Sequence, residues 1–192
     1  SRGFGHQIAS DYIKEFDKVL NKYGIRLVDR QLSCAPFNSK EGQNYYKAMV
    51  CAANFAWSNR QLITYQVRKA FSEVLNKSAE SLEMNILYDV AHNIAKLEEF
   101  NGKKLVVHRK GATRALPKGH KLLPPKYKEV GQPVLIPGDM GTYSYVLIGM
   151  PKSIEESFGS SCHGAGRVLS RSKAKKIVQK TSLLKKLSEK GI

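Results

Sequence analysis

The chain has 192 residues, 42% of them hydrophobic, enough for one sizeable core or a large part of a bigger one. No apolar run approaches the length of a bilayer span, and the first residues do not follow the pattern of a signal peptide. Three cysteines, far apart and odd in number, argue against a disulfide framework and a self-contained zinc site, so the expectation is a soluble, cytoplasmic protein without membrane partners.

The net charge of +16 is unevenly placed. Residues 102–192 hold 19 of the 32 lysines and arginines but only 5 of the 16 carboxylates. Such a one-sided field attracts polyanions, and every phosphate it neutralises releases counterions. A lysine-rich solvated surface gives the same composition, so charge alone points towards nucleic acid without fixing it.

In chain order, residues 7–23 place Ile8, Tyr12, Ile13, Phe16, Val19 and Leu20 at helical spacing before Gly24, which predicts a first helix. A second helical region is expected over residues 41–76, with a break near Ser58 and Asn59, and its aromatic content calls for burial. Residues 84–90 (MNILYDV) read as a buried strand. Residues 94–100 and 103–109 flank Asn101-Gly102, a turn pair whose members both tolerate positive φ, and so predict a β-hairpin. Residues 111–132 read as a long basic loop. Two short strands, 134–136 and 143–148, flank a turn over residues 137–141, and basic helices are expected over residues 167–179 and 182–189. The order of elements predicts an α+β fold: a helical first half, then a hairpin and strands carrying the site, then basic helices.

The sharpest local signal is Ser161-Cys162-His163-Gly164-Ala165-Gly166-Arg167, followed by Ser170-Arg171. Glycines ahead of a helix start let backbone N–H groups approach an anion that the helix dipole favours. Arg167 and Arg171, four apart, share a helix face within reach of phosphates. His163 at the mouth of this segment fits a general base, a metal ligand, a nucleophile towards phosphorus, or a surface histidine beside a plain helix start. His92-Asn93 follows the run at 84–90 and fits either a metal ligand with a nucleotide-contacting amide or a hydrogen-bonded core histidine. Between Gly102 and Lys128 stand nine basic residues and no acidic one, including His108-Arg109-Lys110, which fits a phosphate-contacting surface or a solvated loop. The opening Ser1-Arg2-Gly3-Phe4-Gly5 reads either as a further glycine-rich entry to a helix, where Arg2 could reach an anion, or as a simple N-terminal turn.

Taken together and in order, SRGFGHQ, DRQL, GQNYYKAM, NFAWSNR, YDVAHNIAK, HRKGATRA, GQPVLIPGDMGTYSYVL and SFGSSCHGAGRVLSR resemble the RtcB family of RNA ligases over nearly the whole chain. The resemblance implies an RtcB-like mixed fold and one partial catalytic domain over residues 1–192. It implies a GTP- and manganese-dependent ligase that joins RNA 3′-phosphate or 2′,3′-cyclic phosphate ends to 5′-hydroxyl ends. The implied route passes through a histidine–GMP adduct and a GMP-activated RNA end, in tRNA splicing and RNA repair. Its implied partners are tRNA halves and other cleaved RNAs, with archease as a helper.

By position, the resemblance makes His163 the guanylated nucleophile and His92 a manganese ligand. Asn93, Pro137, Gly138, Asp139, Met140 and Ser144 would contact the nucleotide, as would Gly164, Ala165 and Gly166. Arg2, Arg167 and Arg171 would hold phosphates, and His108 would be at most an RNA or pocket-wall residue. The family's Asp-x-Gly-Cys-Gly and Asn-His-Phe-x-Glu-like motifs, the histidine before its SRG segment and its C-terminal guanine-contacting lysine have no counterpart here. The expectation is therefore a chain that is incomplete relative to the family and lacks a full metal site by itself. The alternative is a non-catalytic basic RNA-binding module.

Overall fold

The computed structural model describes residues 1–138, 142–164, 169–178, 182–189 and 191, apart from the side chains of Arg171, Leu183 and Lys186. It is α+β and forms two compact units, Ser1–Ile86 and Leu87–Ile192, each considered by itself.

The first unit is built on two helices, α1 (Arg2–Val19) and α2 (Lys40–Leu75). The first helix starts five residues earlier than the apolar spacing predicts, because the SRGFGHQ segment folds into its opening turns, with the Gly5 amide donating to the Ser1 carbonyl. Phe16 is buried against Tyr12 and Tyr45, and Phe4 meets Phe55 edge-on, so one aromatic seam joins the two helices. Ser39 caps α2 by accepting from the Gly42 amide, and Asn76 closes it in the left-handed region. The expected break near Ser58 does not occur. The Ser58 hydroxyl donates to the Asn54 carbonyl one turn back, which lets a polar residue stay inside a continuous helix.

The run at residues 84–90 is not a strand. Ile86 and Leu87 are exposed, and the carbonyl groups a ladder would need are taken by side chains: Arg68 donates twice to Met84, and the Tyr127 hydroxyl donates to Leu87. An apolar run without a neighbouring strand stays an extended connection.

In the second unit, β1 (Asn93–Phe100) and β2 (Lys103–Lys110) form the expected hairpin. Asn101 and Gly102 hold φ of 50° and 73°, the two positive values a two-residue type I′ connection needs. The remaining strands are β3 (Ala112–Arg114), β4 (Pro133–Ile136), β5 (Tyr145–Ile148) and β6 (Ser160–Cys162). The expected β4–β5 pair is antiparallel, and β3 pairs antiparallel with β6, setting Ala112 opposite Cys162. The short helix α3 (Lys152–Ser157) precedes β6, and the basic helices α4 (Arg171–Val178) and α5 (Leu183–Ser188) follow it.

The core of this unit lies where these pairs meet. Leu116 and Val134 are 1% exposed, and Ala115, Leu123 and Thr113 are buried with them. Gln132, also buried, has its oxygen accept from the Leu116 amide and its Nε2 donate to the Tyr88 hydroxyl. A buried amide with its bonds made locks the loop at residues 115–132 to β4.

The most consequential correction concerns Arg109. Far from joining a phosphate-contacting surface, it is 3% exposed and closes a two-point fork on the Glu98 carboxylate at 2.9 and 2.7 Å. Its remaining donors reach the Ser160 hydroxyl and the Phe158 carbonyl. Ile94, opposite Arg109 in the ladder, shares the alternating inner face of β1 with Glu98, which turns both charges inward. His108, on the opposite face across from the buried Ala95, is itself exposed.

Candidate active site

Three chain segments meet at Gly111. Its amide donates to the carbonyl of His92 at 2.8 Å and to Oδ1 of Asn93 at 3.2 Å. Its carbonyl accepts from the amide of His163 at 3.1 Å. Gly111 has φ of +65°, a conformation that costs an L side chain energy and glycine nothing, and this turn carries the chain from β2 into β3. The pairing of β3 with β6 then delivers His163, the residue after Cys162, to the side of His92, the residue before β1.

The two imidazoles stack, with centroids 4.0 Å apart and planes 14° from parallel. Among the described residues, Nδ1 of His163 is buried without a hydrogen-bond partner. An enclosed, unpaired ring nitrogen is unusual enough in a folded protein to mark a site. Asn93, exposed at the start of β1, has its side-chain oxygen committed to Gly111.

The turn after β4 forms the next wall. A β-carbon at Gly164 would lie 3.2 Å from the carbonyl oxygen of Pro137, so the backbone after His163 passes close beneath this turn. The Gly138 amide donates to the Ser144 hydroxyl at 3.0 Å, fastening the start of the turn to the residue ahead of β5. Pro137, Gly138 and Ser144 are all exposed, so the wall faces open space.

The structure thus brings together His92, Asn93, Pro137, Gly138, Ser144, His163 and Gly164. Asp139, Met140, Ala165, Gly166 and Arg167 lie outside the described residues, and Arg171 opens α4 with its side chain outside the description. Arg2 is the exposed first residue of α1, in the first unit. Among the described residues, no group of three or more His, Cys, Asp or Glu side chains is arranged to hold a metal ion, so His92 and its neighbours offer a partial donor set.

The sequence motifs single out neither Gly111 nor Glu98. The signal for Glu98 was its alternation with Ile94 on the inner hairpin face, and for Gly111 its position immediately after a strand that begins beside a histidine. Among the described residues, no helix is long and apolar enough to cross a membrane.

Fold and site define a class: an α+β protein whose paired histidines sit at strand ends, walled by glycine-containing turns. The family profile described as "tRNA-splicing ligase RtcB" matches residues 1–192. The whole chain is 60% identical to the tRNA-splicing ligase RtcB of Nanoarchaeum equitans, of which it covers 40%. It is 58% identical to that of Thermococcus kodakarensis, covering 41%, and 57% identical to that of Methanocaldococcus jannaschii, covering 20%. The chain belongs to the tRNA-splicing ligase RtcB family, and spans about two fifths or less of the length of these relatives.

Proposed function

We propose that this chain supplies the nucleophile and part of the nucleotide pocket of a GTP-dependent RNA ligase acting in tRNA splicing and RNA repair. The observation that carries the reading is the clamp at Gly111, which holds His92 and His163 in one stack beside the turn at Pro137 and Gly138. Support also comes from the names of the relatives, which are tRNA-splicing ligases.

In this reading, Nε2 of the neutral His163 imidazole attacks the α-phosphorus of GTP. A nitrogen–phosphorus bond forms, the bond to the bridging oxygen of the β-phosphate breaks, and pyrophosphate leaves. The GMP then passes to an RNA 3′-phosphate, and a 5′-hydroxyl end displaces it. The stack on His92 holds the ring in a fixed orientation for this attack, and the bare Gly164 backbone lets the segment after His163 pass close to Pro137. Asn93, Pro137, Gly138 and Ser144 line the nucleotide, and Asp139, Met140, Ala165 and Gly166 complete that wall by position. Arg2, Arg167 and Arg171 hold phosphate charge. Manganese, held by His92 with ligands from beyond the described set, would supply charge neutralisation at the phosphates. Cleaved RNAs such as tRNA halves are the substrates, archease is a helper, and the setting is the cytoplasm.

The test is labelling by α-phosphate-labelled GTP with manganese in a ligase of full family length carrying this segment. Wild type should form an adduct that maps to His163, and His163→Ala should not. An adduct that persists in His163→Ala overturns the nucleophile assignment. Salt-dependent RNA binding with no adduct in the wild type would favour a non-catalytic RNA-binding module.

A further inference from the structure

A second group of cations sits on the inner face of the hairpin. Lys96 alternates with Ile94 and Glu98 on β1, so all three share the face that holds Arg109. Both oxygens of Glu98 are engaged by the Arg109 fork, and Nη1 of Arg114 stands 3.8 Å from one of them. Nε of Arg114 donates to Gln132 at 3.3 Å. Lys96 is half-buried and has no hydrogen bond or ion pair among the described residues.

Burial pushes the Lys96 ammonium below its ordinary range, Arg114 and Arg109 add to the effect, and Glu98 opposes it. His120 lies in the same field: burial holds its imidazole down, and Arg114 and Lys121 act in the same direction. His120 accepts from the Leu122 amide through Nδ1, and Lys121 reaches Glu99 at 3.3 Å, which pins this loop to the hairpin.

Three cations, Lys96, Arg109 and Arg114, therefore share one carboxylate, and Arg109 already engages both of its oxygens. Half-buried like charges in excess of their counter-charge are unfavourable, and a small multivalent oxyanion relieves them. Guanidinium and ammonium groups side by side match the oxygens of a phosphate. We propose that Lys96 and Arg114 form a binding site for a phosphate group. The site stands independently of the role of His163.

The experiment is thermal unfolding of the full chain in inorganic phosphate against chloride at equal ionic strength, for wild type, Lys96→Met and His163→Ala. Phosphate should raise the Tm of wild type and of His163→Ala, and should raise that of Lys96→Met by clearly less. Removing a repelled charge keeps Lys96→Met folded, with a Tm in chloride at least equal to wild type. Side-chain NMR of Lys96 supplies a second reading, because phosphate should shift its ammonium signal and raise its titration midpoint. Binding of GTP and of a single-stranded RNA oligonucleotide separates the sources. A loss for RNA in Lys96→Met, with a salt slope smaller by about 1, assigns the group to a nucleic-acid backbone, and a loss for GTP alone assigns it to a nucleotide. An equal phosphate effect in wild type and Lys96→Met, with an unmoved Lys96 signal, overturns the proposal. So does an effect lost in His163→Ala but kept in Lys96→Met, which would put the anion at the histidine pair.

Discussion

The rings of His92 and His163 lie face to face, 4.0 Å apart, although one residue precedes β1 and the other follows β6. Gly111 accounts for this by bonding to the backbone of both. Manganese held by His92 would therefore sit within a few ångströms of His163 as well. Titrating manganese into a ligase of full family length carrying this segment should broaden the ring-proton NMR signals of both histidines together, and His92→Ala should remove the broadening at His163. Broadening of His163 that survives His92→Ala would show that the metal is not carried by His92.

The fork between Glu98 and Arg109 is fully enclosed, with both side chains at most 3% exposed. Removing one partner strands a buried charge, so Glu98→Ala or Arg109→Met should lower stability by about 3–5 kcal/mol in urea unfolding. The paired change Glu98→Leu with Arg109→Met should recover only part of that loss, since the fork's two charges are gone but Arg114 loses its carboxylate. Arg109→Lys should still destabilise, because an ammonium cannot reach Glu98, Ser160 and Phe158 at once.

Gly149 lies where two backbone segments nearly touch. A β-carbon there would fall 2.3 Å from the Leu116 carbonyl oxygen and 2.5 Å from the Ala115 carbonyl carbon. Neither neighbour is a flexible side chain, so Gly149→Ala should force the core strands apart and cost about 1–3 kcal/mol. Differential scanning calorimetry would register this as a lower Tm, and an unchanged Tm would contradict the packing described.

Glu41, in the first turn of α2, accepts from the Tyr23 hydroxyl at 2.8 Å and from Lys22 at 3.2 Å. The Tyr23 bond, the amide at the helix start and Lys22 together draw its pKa from 4.5 down to about 2. A depressed carboxylate stabilises the fold above its unfolded value and loses that contribution as pH falls through the folded one. Stability should therefore decline between about pH 4.5 and pH 2 through this group. Tyr23→Phe and Glu41→Gln should each flatten that part of a Tm-versus-pH curve, and an unaltered curve would show that the contact carries no stability.

Local chemistry was readable in the sequence. Asn101-Gly102 specifies its hairpin because positive φ at two adjacent positions is a property of those two residues. Ser39 and Asn76 mark the ends of α2 by the same kind of local bonding. The break foreseen at Ser58 was a propensity argument, and one hydroxyl bond to the preceding turn cancels it. The strand foreseen at residues 84–90 failed for a different cause: an apolar run becomes a strand only beside a neighbour, and none of the described strands pairs with it.

By itself, then, the sequence determined the α+β class, the hairpin and the family, all of which rest on residue type and order. Only the tertiary structure decided which cations face inward and which residues meet. Arg109 finds Ser160 across a separation of 51 residues, and its burial follows from that encounter rather than from its basic neighbours. The pairing of β3 with β6 likewise brings His163 onto His92, because ladder register converts distance along the chain into contact in space.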